Sequence, residues 1–193
     1  ALSPRPPSPE NRRGGPVSPD TKGEQRLLDL FTAHRRVHHV ADALDRLART
    51  GRIGALSNTR RYASVMVSVG LALESSDLVF GTRGDWPVAL GRGLDTRTLF
   101  AQALGLQGDP GLGRGMPGAV CDESIGVSLT DGNRASHLVH AAGFGHASRL
   151  RAGRGIGVGM MSPASLQNGE VHAALNFAAV YQAQVVFVAR GLK

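Results

Sequence analysis

Four stretches carry side chains that could do chemistry. Arg35, Arg36, His38 and His39 crowd two guanidinium and two imidazole groups into five positions, the types that hold phosphate or a metal ion. Adjacent histidines point in different directions on a helix, so this cluster reads as a solvated helix face. Gly81-Thr82-Arg83-Gly84-Asp85 sets a guanidinium in a glycine-flanked loop, where it could donate to a phosphate, with Asp85 in the neighbouring polar position. A surface or interface arginine is the competing reading. His137, His140 and His146 follow Ser136 on one helical stretch. His137 and His140, three apart, could share a face, but no third ligand stands with them, and they read as helix-surface or interface histidines. Ser136 and His137 are neighbours on a helix and cannot face each other as nucleophile and base. Asn168-Gly169-Glu170 opens a helix after a loop. These residues assemble neither a catalytic set nor a metal site.

Elements must position these groups, and the clearest lie between Gly155 and Lys193. Gly155–Met161 is a short apolar run, Val185–Val188 a β-branched and aromatic one, and Val171, Ala174, Leu175, Ala178 and Ala179 recur between them at helical spacing. That is a strand, a right-handed crossover helix and a parallel strand. Ligands in such sheets bind beyond the carboxyl ends of the strands, here around Met161–Asn168 and past Val188.

Upstream, Glu24–Thr50 is an amphipathic helix with Leu27, Leu30, Phe31, Val37, Val40, Ala41, Leu44, Leu47 and Ala48 on its apolar stripe, ended by Gly51. Arg61–Leu73 is apolar and ambiguous between strand and buried helix by periodicity. Leu78–Phe80 and Ile125–Leu129 read as strands. Trp86–Leu104 reads as two short helices around Gly91-Arg92-Gly93, capped at Asp95 or Thr96, and a further helix runs to about Leu150. The first 23 residues hold six of the ten prolines and read as a disordered tail before a single domain over 24–193.

Composition narrows the function classes. A net charge of +7 invites nucleic acid, but the arginines are dispersed and not interleaved with aromatics, which make up 5% of the chain. The lone Cys121 excludes an intrachain disulfide and a cysteine zinc cluster and fits a reducing compartment, the cytoplasm, with the mitochondrial matrix as alternative. No apolar run reaches the roughly 18 residues of a membrane span.

Several blocks resemble one family in register. Asn168–Val180, Ala135-Ser136-His137, Gly113-Arg114-Gly115-Met116-Pro117-Gly118, Arg83 in its loop and Thr50–Gly54 resemble the alpha subunit of thiamine-diphosphate-dependent 2-oxo acid dehydrogenases, nearest the bacterial branched-chain type. The resemblance makes Arg61–Leu73 a helix. It implies a thiamine-diphosphate-binding α/β fold, a mostly parallel sheet flanked by helices and incomplete at its C-terminal side. It also implies thiamine diphosphate and magnesium as family cofactors, a beta subunit as partner in a heterotetramer, and a lipoyl acyltransferase core beyond it. Carried over residue by residue, Arg83, Ser136, Asn168 and Gly169 stand at cofactor-side positions. The family's magnesium ligands do not carry over: Ser162-Pro163-Ala164 stands at its Gly-Asp-Gly and Gly191-Leu192 at its paired asparagines, and neither proline nor leucine offers the oxygen that magnesium requires. The family continues past this point, which implies an open sheet edge at Val185–Val188, covered by a partner chain, a second copy or a separately encoded half.

Three functions follow as expectations. The first is a degenerate alpha-subunit homologue, structural or regulatory and inactive alone. The second is a fragment of an active branched-chain or pyruvate dehydrogenase component completed by other chains. The third is a basic nucleic-acid-binding module.

Overall fold

The computed structural model describes residues 21–54, 59–130 and 135–191. Residues 1–20 of the tail expected over 1–23, residues 55–58, residues 131–134 and residues 192–193 lie outside the described residues. Among the described residues six α-helices and five strands follow in the order α1 (Thr21–Arg49), α2 (Ala63–Ala72), β1 (Leu78–Thr82), α3 (Trp86–Gly91), α4 (Thr96–Leu104), β2 (Cys121–Asp122), β3 (Val127–Thr130), α5 (Ser136–Leu150), β4 (Gly157–Met161), α6 (Gly169–Val180) and β5 (Val185–Ala189). The sheet order is β2-β3-β1-β4-β5, parallel throughout except for the two-residue β2. This is the mostly parallel, helix-flanked α/β sheet expected.

Alternation along the strands sorts the helices onto two faces. Val79, Val127, Leu129, Val158 and Met160 point into one core with α1 to α4, where Trp86, Met66, Val67, Leu44 and Leu99 are buried. The other face packs on α5 and α6 through Leu138, Met161, Val171, Ala174 and Phe187. Phe80 lies on this second face, its ring 6.2 Å from Phe144. Gly157 makes the close approach of α5 possible, because a Cβ there would overlap the Ala141 carbonyl.

Polar staples bind the amino ends of the strands. Asp77, nearly buried, accepts from the N–H groups of Glu74 (2.8 Å) and Ile156 (2.9 Å), and Arg92 donates to the carbonyls of Ile125, Glu74 and Asp77. Ordered backbone at that rim therefore has its partners, as burial demands.

Several expectations need correcting. Thr21–Gly23 continue α1 instead of belonging to a tail. Leu27 and Phe31, assigned to the apolar stripe, are exposed, because α2 and α3 cover only the part of α1 from Leu30 onward. Leu175 is exposed and Ala179 open to solvent, because α6 buries only Val171 and Ala174. The strand expected from Ile125 begins at Val127, since Glu123–Ile125 close a 3-10 turn on Gly126 at φ 64°. Asp95 does cap α4, accepting from the Arg97 N–H at 3.2 Å.

Candidate functional site

The topology creates one crevice. From β1 the chain moves through α3 and α4 to β3 on one side, whereas from β4 it moves through α6 to β5 on the other. The β1–β4 gap is therefore the point where the connections diverge, the usual ligand position in open α/β sheets. The β1–β4 ladder stops at Phe80 opposite Gly159, so the strand ends part there. Parallel pairing brings Arg83 after β1, Ser136 at the start of α5, Ser162 after β4 and Arg190 after β5 to this same edge.

The crevice is occupied by the protein's own charges. Asp85, in the 3-10 turn Arg83–Asp85, is fully buried, and its Oδ2 accepts from the Thr82 N–H (2.9 Å) and hydroxyl (3.0 Å). Its Oδ1 lies 2.9 Å from Nη1 of Arg190, whose side chain is 13% exposed. By distance this is an ion pair, yet neither Asp85 Oδ1 nor the buried Arg190 Nε has a partner at hydrogen-bonding geometry. We therefore read it as Coulombic attraction without a directed bond, a form in which desolvation offsets much of the gain. The strand end is seated by Arg190 N–H donating to the Met161 carbonyl (2.9 Å) and by Gly191, φ 69°, against the Tyr62 ring, where any Cβ would collide.

His137 closes the floor. It is 0% exposed, with Nε2 2.6 Å from the Met160 carbonyl. Burial, the largest influence, pushes its pKa below the ordinary histidine value, against the bond to Met160 and the field of Asp85. Sequence reasoning put His137 on a helix surface; the structure corrects that. Its neighbours Leu138, Ala141 and Ala142 form the buried face of α5, while His140 lies on the open side.

The four residues marked from sequence fall unevenly. Arg83 and Ser136 are half-buried at the crevice rim. Asn168 is half-buried and Gly169 exposed at the start of α6, where Asn168 caps without a side-chain hydrogen bond. Sequence reasoning missed the roles of Arg190 and Tyr62, and Asp85 was noted only as a polar neighbour. A charge ending an apolar strand was the available signal for Arg190.

The donor set does not fit a magnesium-bound diphosphate. Of Ser162, Pro163 and Ala164 only Ser162 has a side-chain oxygen, and it pairs with the Ser165 hydroxyl at 3.1 Å. Asp85 Oδ2 is engaged by Thr82, and the charge on the carboxylate is balanced by Arg190. Among the described residues no three histidine, cysteine, aspartate or glutamate side chains converge as a metal site. Among the described residues the crevice's buried carboxylate, Asp85, is already engaged, so none stands free to start an octahedral oxygen shell. Elsewhere, the Arg35, Arg36 and His39 cluster borders an open surface groove with Phe31, and His34 and His38 stack edge to face at 4.5 Å. Among the described residues no helix is long and apolar enough to cross a membrane.

Comparison with known proteins adds the lineage. The dehydrogenase E1 component family matches residues 32–190. The mitochondrial 2-oxoisovalerate dehydrogenase subunit alpha of Dictyostelium discoideum is 23% identical over 170 residues, 88% of this chain and 38% of that protein. Subunit alpha 1 of Arabidopsis thaliana is 29% identical over 74% of this chain and 30% of its own length. The alpha subunit of Pseudomonas aeruginosa is 28% identical over 60% of this chain and 28% of its own length. The chain thus spans well under half the length of these relatives.

Proposed function

The chain belongs to the dehydrogenase E1 component family, and from that premise we propose that it is a degenerate alpha-type subunit: a structural or regulatory partner in a 2-oxo acid dehydrogenase assembly, without a metal–cofactor site of its own. The observation that supports this reading is the state of the crevice. Asp85, its one fully buried carboxylate among the described residues, is spent on Thr82 and Arg190, and Pro163 stands where the family keeps an acidic ligand. A diphosphate brings several negative charges, which a neighbouring guanidinium balances poorly without a divalent ion. Arg83, Ser136, Asn168 and Gly169 are, on this reading, vestiges of cofactor contact. The partner is a beta subunit, with self-association along β5 as the other route and a lipoyl acyltransferase core further out. A reducing compartment, bacterial cytoplasm or mitochondrial matrix, is the setting this role requires.

Isothermal titration of the chain with magnesium and thiamine diphosphate tests the proposal. No binding is expected; micromolar, metal-dependent binding overturns it. A second reading, an alpha-chain portion of an active component, is favoured by the coverage of at most 38% of the relatives above. Reconstitution with a beta subunit then restores decarboxylation of 3-methyl-2-oxobutanoate, which the first reading forbids. Nothing in the fold or the comparisons supports nucleic-acid binding.

A further inference from the structure

His137 is a buried titratable group that the reading above leaves without a task. A carbonyl can only accept, so Nε2 carries the hydrogen shared with Met160, and Nδ1 remains a buried lone pair with no partner. That contact replaces a strand: the β1–β4 ladder ends at Gly159, and the ring takes the next β4 carbonyl. The carbonyl after it, of Met161, accepts from Arg190. His137 and Arg190 therefore hang from successive peptide units of one strand.

We propose that His137 is a proton-operated latch on the carboxyl end of β5, and that protonation of its ring releases Arg190 from Asp85 and frees the strand end from β4 and Tyr62. With a neutral ring, one buried carboxylate faces one cation. A proton on Nδ1 adds a second buried cation and a new N–H with no acceptor in place. Among the described residues the charged and titratable groups acting on the ring are Asp85 from the turn after β1, Arg190 from the end of β5, and His140 from its own helix; Asp85 is the anion among them. Two cations on one carboxylate are relieved by whichever has a path to water. His137 has none, being 0% exposed in the first turn of α5. Arg190 is partly open, ends its strand and lacks a directed bond to Asp85. With its side-chain anchor gone, the strand end is held only by the main-chain Arg190–Met161 hydrogen bond and the packing of Gly191 on Tyr62, and these open. Burial lowers the ring's pKa, so the latch opens below about 6.5, the ordinary histidine value.

Hydrogen exchange of the full chain between about pH 8 and 5, corrected for intrinsic rates, reads the latch directly. Protection of the amides of residues 189–191 stays level at neutral pH, then falls about tenfold per pH unit as one proton is taken up on opening. Amides of Val79, Val127 and Val158 keep their protection. His137→Gln, whose amide can still donate to the Met160 carbonyl without titrating, makes the profile flat. A level wild-type profile, an unchanged pH response in H137Q, or loss spread equally over β1 and β3 overturns the proposal. If H137Q does not reach the wild-type fold, ring NMR of the wild-type chain decides. The His137 titration midpoint must coincide with the loss of protection, and separate midpoints overturn the latch.

Discussion

Asp85 and Arg190 come from opposite parts of the chain and meet only because β1 and β5 both end at one edge. Removing one partner leaves the other buried and unbalanced, which costs about 3–5 kcal/mol where pairs are well buried. Asp85→Asn keeps the shape and is expected to lose a few kcal/mol in urea unfolding, toward the lower figure because Arg190 reaches some solvent. The double replacement Asp85→Asn with Arg190→Met recovers most of the loss, whereas equal losses from single and double variants would exclude a linked pair. His137 contributes with a definite sign. Its folded pKa is depressed, so the unfolded chain binds the proton more readily, and stability falls as pH drops from about 6.5 toward the folded value. His38 is shifted the same way, first by burial and then by His34, so H137Q removes only part of the acid slope.

At the level of elements, α5 is set by small residues on the strand beneath it. A Cβ at Gly157 would meet the Ala141 carbonyl and one at Gly159 the Leu138 side chain, so α5 rests directly on the β4 backbone there. Gly157→Val forces helix and strand apart, and overpacking of this kind typically costs about 1–3 kcal/mol. A lowered melting temperature together with a blurred His137 ring signal is expected; an unchanged melting temperature would count against close packing. These elements were largely legible in the sequence. Apolar runs at Leu78–Phe80, Gly155–Met161 and Val185–Val188 became strands, and helical spacing after Gly169 became α6. The site was legible only in part. Arg83, Ser136 and Asn168 could be marked because they lie in short blocks with a recognisable pattern. His137 could not be placed, because the apolar residues around it on α5 continue on both sides and fix no single inward face. The Asp85–Arg190 pairing was hidden because no local spacing encodes which strand ends become neighbours. The ends of the apolar stripes on α1 and α6 were misjudged for a related reason: Phe31 and Leu175 have the right period, but no neighbouring element reaches them.

For the molecule as a whole, the open margin of the sheet matters most. β5 pairs only with β4 among the described residues, and its Val186 side chain is substantially exposed, as are Leu175, Val180 and Tyr181 of the adjoining helix and turn. A parallel edge of this kind offers unpaired backbone groups on which a further strand can add. Val186→Lys is expected to weaken any self-association in sedimentation velocity while leaving the far-ultraviolet spectrum intact. Unchanged sedimentation of an associating wild-type chain would place the contact elsewhere.

The opposite margin behaves differently. There the two residues Cys121 and Asp122 run against the grain of the sheet and are followed at once by Glu123, too brief and too acidic to template a neighbour. Two edges of such unequal character favour pairing of one copy with one other over open-ended addition. Among the described residues, strand addition is therefore expected at the β5 margin and not at the β2 margin.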